Sequence, residues 1–262
     1  WGHEMAYERV RELMESLKLT GMMNSLDFSL HNWSKGEKDV TELLEELLQA
    51  EVKEKSERRY LTALKYSGLP FHKTLEEFDF SFQPSIDRKQ IMELKSLRFL
   101  YEKENVVLLG PPGVGKTHLA VALGMEALRE GKKVYFVNAI SLVDKLKKAF
   151  SERRFEKMIG YFKSIELLIV DELGYLPLEN EGAKLFFELV SEKYEKGSII
   201  LTSNRGFAEW NRIFEDEILA TAVLDRLLHH CTIVNIRGKS YRLREKQKTG
   251  LIGTQLISSL GH

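Results

Sequence analysis

A parallel five-stranded α/β sheet flanked by helices, with a small all-helical domain ahead of it, is the fold that three observations predict. Residues 7–64 lack proline, are rich in Leu, Glu, Lys and Arg, and carry apolar residues at helical spacing, as at Val10, Leu13, Met14 and Leu17. From residue 87 onward, short apolar runs alternate with longer amphipathic ones, as strands alternate with crossover helices. One of those runs, 106–109, leads directly into a glycine-rich turn and then a helix.

The elements follow in order. The helical domain is taken as residues 5–66, because Met5-Ala6-Tyr7 reads as a start. Its second helix opens at Thr41, with Glu42 and Glu45 complementing the helix dipole and Leu43, Leu44, Leu47, Leu48 and Val52 along one packing face. Residues 67–86 bring Gly68, Pro70 and Pro84 together with Phe71, Phe78, Phe80 and Phe82 but no helical period, and read as an interdomain linker. The core, 87–250, then runs helix 87–101, strand 106–109, and helix 116–130 closed by Gly131. It continues with strand 134–137, a charged helical region 140–160, strand 167–170, helix 182–194, strand 198–202 and a fifth strand, 231–236. Strands this short and apolar suit a parallel sheet covered on both faces. Residues 251–262 are expected to be a disordered tail.

Composition sets limits on function. The 262 residues hold 39 Lys plus Arg against 39 Asp plus Glu, so any attraction to nucleic acid must come from local patches. The single cysteine, Cys231, has no internal disulfide partner and reads as a small buried hydrophobe, consistent with a reducing cytoplasm. No apolar run approaches the roughly 20 residues that span a bilayer, and Trp1-Gly2-His3-Glu4 does not open an export signal, so a cytoplasmic protein without membrane contact is expected.

Chemistry concentrates at strand ends. Gly110, Pro111, Pro112, Gly113, Val114, Gly115, Lys116 and Thr117, followed by His118, match the Walker A pattern between a strand and a helix. Glycines there let backbone N–H groups converge on phosphate oxygens, Lys116 reaches the β and γ phosphates, and the Thr117 hydroxyl suits Mg²⁺, so ATP with Mg²⁺ is the expected ligand. The run 167–170 ends in Asp171-Glu172, the Walker B form, with Asp171 on the metal and Glu172 as general base toward water. Asn204, just past strand 198–202, is a candidate sensor of the γ-phosphate and lytic water; the alternative is a turn-forming Asn before Arg205-Gly206. Arg226, after Asp225, is a candidate arginine finger for a neighbouring subunit, and Arg242 a candidate contact to the γ-phosphate within its own chain.

With those motifs in place, the chain resembles the AAA+ ATPases of the IstB/DnaC branch, and within it the IstB-like helpers of insertion-sequence transposition. The resemblance covers nearly the whole chain. Beyond the Walker motifs it rests on Lys73-Thr74-Leu75-Glu76-Glu77-Phe78-Asp79-Phe80, on Asp171-Glu172-Leu173-Gly174-Tyr175-Leu176-Pro177-Leu178, and on Thr202-Ser203-Asn204-Arg205-Gly206-Phe207-Ala208-Glu209-Trp210. It implies an AAA+ core, ATP hydrolysis at sites completed between subunits, ATP-dependent self-association on duplex DNA, and recruitment of a transposase; the short stretch after the fifth strand departs from it, leaving no full C-terminal lid expected. Lys116, Thr117, Asp171, Glu172, Asn204 and Arg226 would take the roles given above, with Arg226 acting in trans. Gly206 departs from a proline common in the family, and the short stretch after residue 236 weakens the role of Arg242.

DNA contact is assigned to Lys145, Lys147, Lys148, Arg153 and Arg154, with Lys157 beyond them, where positive charge is in local excess despite Glu152 and Glu156. Lys53, Lys55, Arg58, Arg59 and Lys65 form a second basic run. Neither interleaves aromatics at a stacking distance, so backbone recognition with little sequence preference is expected. The rival reading is a helicase loader on single-stranded DNA. A small-molecule nucleotide kinase is a third, and leaves Arg226 and the helical domain unexplained.

Overall fold

The computed structural model describes residues 2–36 and 39–248, so the expected tail at 251–262 lies outside the described residues. The chain falls into two compact units that divide between Ala63 and Leu64. The first is helical: α1 (Gly2–Ser16), α2 (Thr20–Ser34) and most of α3 (Val40–Tyr66). Met14, Met22, Leu26 and Leu47 form its buried centre. Glu51 of α3, itself buried, accepts hydrogen bonds from the backbone N–H groups of Gly21 (2.8 Å) and Met22 (3.1 Å), placing a carboxylate against the positive end of α2. Gly21 is needed there, because an added Cβ would lie 2.4 Å from the Ala50 carbonyl oxygen. The expected packing face of α3 divides: Leu47 is buried and Leu43 packs on the centre, whereas Leu44, Leu48 and Val52 are exposed.

The second unit holds a five-stranded sheet of order β2-β3-β4-β1-β5, parallel throughout. Its strands are β1 (Asn105–Leu109), β2 (Val134–Asn138), β3 (Leu167–Leu173), β4 (Ser198–Ser203) and β5 (Cys231–Asn235). β1 is buried at every position and β4 likewise, as strands covered on both faces must be. On one face α7 (Ala139–Ser151), α8 (Phe155–Ser164), α9 (Asn180–Lys193), α10 (Trp210–Phe214) and α11 (Glu217–Leu228) bury Leu146, Phe162, Phe186, Trp210 and Leu227 in a continuous core. α6 (Lys116–Arg129) carries the buried Leu119, Val121, Leu123 and Leu128. Because every strand points the same way, the ends of β1, β3 and β4 open on one edge, with β4 between the two strands that carry the Walker motifs.

Three expectations change. The helix expected at 87–101 is two, α4 (Arg88–Lys95) and α5 (Arg98–Tyr101), separated at Leu97, whose φ of 59° is left-handed. The charged region 140–160 likewise splits into α7 and α8 at Arg153, with φ 55°. Residues 67–86, read as a linker, lie within the second unit: Ser67, Leu75, Phe78, Gln83 and Ile86 are buried, and the Ser67 carbonyl accepts from Phe136 N–H at 2.7 Å. Of its aromatics, Phe78 is buried and lines a cavity together with Phe71, while Phe80 and Phe82 are half-buried.

Candidate nucleotide site

The loop after β1 is shaped by glycine. Gly113 and Gly115 have φ of 83° and 101°, left-handed values that L side chains rarely adopt. Space forbids a side chain as well, since an added Cβ at Gly115 would lie 2.6 Å from Phe78 Cε2 and one at Gly113 2.1 Å from Ser240 Oγ. Val114 anchors the loop in the core, while Pro111 and Pro112 are exposed. Lys116 opens α6 and turns back over the loop, its Nζ donating to the carbonyls of Gly110 (2.6 Å) and Pro111 (2.8 Å).

Burial pushes the Lys116 ammonium down to about 8, opposed by the charges of Asp171 and Glu172. Bound phosphates favour the charged form and raise that value, so nucleotide binding takes up a proton above pH 8. ATP affinity should therefore be flat below pH 8 and fall by up to about tenfold per pH unit above it, which fluorescent-nucleotide titrations between pH 7 and 9.5 would record. A flat profile throughout would mean that Lys116 has the same proton affinity with and without nucleotide.

β3 supplies the acids through an irregularity. Its register with β4 shifts between Val170 and Leu173, and Glu172 takes a left-handed φ of 62°, strained for a residue with a side chain. The Glu172 N–H donates to Thr202 Oγ1 (2.8 Å), and that hydroxyl donates to Asp171 Oδ1 (2.6 Å). Thr117 Oγ1 lies 3.0 and 3.1 Å from the two oxygens of the buried Asp171 carboxylate. A hydroxyl and a carboxylate in register at the end of a glycine loop form an oxygen pair suited to Mg²⁺. Glu172 turns toward β2, where its Oε2 accepts from Asn138 Nδ2 at 2.7 Å, while Asn138 Oδ1 accepts from Ile140 N–H and caps α7.

A cavity of about 420 Å³ joins these groups, lined by the loop, Thr117, His118, Glu172, Thr202, Asn204 and Arg242. Asn204 Oδ1 is buried among them without a hydrogen-bond partner, a cost that a donor on a bound ligand or water would remove. The residues present thus fit a magnesium nucleotide. His118 lines the cavity, but its ring is engaged: Nε2 donates to the Thr74 carbonyl at 2.7 Å, and the ring meets Phe78 edge-on at 5.2 Å. Arg242 is exposed at the wall.

Arg226 is absent from the lining of its own chain's cavity among the described residues. It lies on α11 with its guanidinium 4.6 Å from the centre of the Phe187 ring, and Nη1 donates to the Ala222 carbonyl at 3.3 Å. Sequence reading missed Asn138, Thr202, Phe71, Phe78 and Tyr241 as cavity or site residues. For the first two a signal existed, since polar residues at the ends of apolar strands face the same edge as the Walker acids. Tyr241 opens α12 (Tyr241–Lys248), and its N–H donates to the Gly113 carbonyl at 2.8 Å, so this short helix begins on the phosphate loop.

The basic residues on α7 and α8 separate into two groups. Lys145, Lys148, Arg154 and Lys157 line a groove with Tyr135 and Tyr161, so aromatics do stand among them, contrary to expectation. Lys147 leaves the group: it is ion-paired to Glu179 at 2.5 Å. Arg153 is exposed at the left-handed break, and Arg154 pairs with Glu152.

The chain matches the family model for IstB-like ATP binding proteins over residues 12–249. It is 49% identical over 92% of its length to the ATP-binding protein of insertion sequence IS21 from Pseudomonas aeruginosa, covering 91% of that protein. It is 46% identical to the corresponding protein of insertion sequence IS5376 from Geobacillus stearothermophilus, over 92% of this chain and 96% of the relative. Among solved structures, DnaI superposes with a TM-score of 0.54 at 19% identity, covering 63% of this chain and 92% of DnaI, a likeness of fold.

Proposed function

The chain belongs to the family of IstB-like ATP-binding proteins, and from that premise we propose that it hydrolyses ATP between subunits assembled on duplex DNA and there recruits a transposase. The observation that carries this reading is the split in the site. Lys116, Thr117, Glu172, Asn204 and Arg242 line one cavity, with Asp171 hydrogen-bonded to Thr117 beside it, while Arg226, the candidate finger for a neighbouring subunit, sits on α11 outside that lining. Thr117 and Asp171 would hold Mg²⁺, which neutralises charge on the transferring phosphate. Asn204 Oδ1 accepts a hydrogen bond from the attacking water, Glu172 takes its proton, and Arg226 of a neighbour stabilises the charge that develops. The relatives named for insertion sequences support a role in transposition, and the groove of Lys145, Lys148, Arg154 and Lys157 supplies cations for the DNA backbone.

The test is assembly. With ATP, the protein should form particles on duplex DNA whose size grows with duplex length, as seen by electron microscopy and sedimentation, and should retain the transposase of its own insertion sequence. Preference for single strands together with capture of a replicative helicase would replace this reading with that of a helicase loader.

A further inference from the structure

We propose that Glu195, His229 and His230 form a transition-metal site of the Zn²⁺ type, separate from the nucleotide site. Glu195 stands in the turn between α9 and β4, and the two histidines lie between α11 and β5. These turns precede the strands whereas the phosphate cavity follows their ends, so in a parallel sheet the two sites lie at opposite edges. One possible ligand atom from each of the three residues lies within 4.8 Å of the other two. His230 Nε2 is 4.0 Å from Glu195 Oε1, and the two imidazole centroids are 4.1 Å apart.

The backbone beneath is fixed. His229 N–H donates to the Asp225 carbonyl at 3.1 Å, and the His230 carbonyl accepts from Asn105 N–H at 2.8 Å. Glu195 holds a left-handed φ of 56°, a strained position for a residue with a side chain, and this turn carries it toward the histidines. Tyr194 Oη lies 2.6 Å from His229 Nδ1. With Nδ1–H donating to the phenol oxygen, the Nε2 lone pair is left for a metal, and such an outer hydrogen bond commonly orients a histidine ligand.

Zinc bonds to nitrogen and oxygen of about 2.0–2.2 Å place tetrahedral ligand atoms about 3.3 Å apart. The side chains of His230 and Glu195 are 50% and 60% exposed, which leaves both room to turn about their own bonds toward that separation. Two imidazoles and a carboxylate suit Zn²⁺ far better than Mg²⁺ or Ca²⁺, which prefer oxygen alone. Three protein ligands leave a fourth position for water or for a group from another molecule. The bound ion fastens the turn before β4 to the turn before β5.

Zinc titration against a chromophoric chelator, on untagged full-length protein carrying Asp171→Asn so that the Mg²⁺ position does not count, provides the test. About one Zn²⁺ per chain is expected, with a rise in melting temperature. That zinc should disappear in the exposed pair His229→Asn/His230→Asn, and bind about tenfold more weakly in Tyr194→Phe. Glu195→Gln gives a second reading, since it leaves both rings in place and should also weaken binding. Replacing zinc by Co²⁺ should give the visible absorption of a tetrahedral site. Equal zinc binding by the parent and the double-histidine variant, or none by either, overturns the proposal.

Discussion

Arg226→Ala should retain ATP affinity within about twofold and lose about 10³-fold or more in turnover, the range found where an arginine completes a phosphoryl-transfer site. The retained affinity follows from the geometry, because the lining of the chain's own cavity lacks Arg226. Arg226 also stacks on Phe187, so part of any loss could be structural; Arg226→Lys keeps the stem and the charge and serves as the control. The decisive experiment mixes two inactive variants. Lys116→Ala cannot hold the phosphates but still presents Arg226, whereas Arg226→Ala has an intact phosphate site. An active site shared between subunits then exists in the mixture, and turnover should exceed that of either variant alone by at least about tenfold. An arginine acting within its own chain predicts no gain on mixing, and that outcome would remove the intersubunit site.

What the sequence discloses about this site depends on how far apart its parts lie in the chain. The phosphate loop is legible because phosphate binding constrains eight consecutive residues between a strand and a helix. The Walker B acids are legible as the polar end of an apolar run. Phe78 and Tyr241 reach the same cavity from other elements, with no local pattern to mark them. The three central strands β1, β3 and β4 are readable for a similar reason: each is a short apolar run, and burial on both faces demands that composition, whereas the outer β2 and β5 are only partly buried.

The failures have a common cause as well. Leu97 and Arg153 break helices in a left-handed conformation that usually signals itself through glycine or asparagine. With Leu and Arg in those places, each pair of helices reads as one. Lys147 groups with Lys145 and Lys148 by proximity in sequence, although neighbours one or two apart on a helix do not share a face. Counting around α7 would have separated it, and its pairing with Glu179 is the result. Residues 67–86 read as a linker because prolines and glycine break any period, yet the same residues wall the cavity and bury Leu75 and Gln83.

Glu172→Gln should bind ATP as the parent does while turnover falls by about 10²–10⁴-fold, the contribution of a positioned general base. Assemblies formed with ATP should then persist, and their dissociation on DNA can be followed by light scattering or gel filtration. If ATP served only to hold subunits together, the substitution would leave assembly lifetime unchanged. Asn138 refines the argument. Its Nδ2 donates to Glu172 Oε2 at 2.7 Å, occupying a lone pair on the carboxylate assigned to accept the water proton. Removing that donor in Asn138→Ala should raise basal turnover by up to about tenfold, the worth of a hydrogen bond to a charged group. The double variant Glu172→Gln/Asn138→Ala should be as slow as Glu172→Gln alone, since Asn138 acts only through the carboxylate. A fall in Asn138→Ala would mean instead that the bond orients Glu172 for catalysis. The sign of the change thus separates a bond that holds the carboxylate back from water from one that aims it, at a residue whose left-handed backbone already sets it apart from the rest of β3.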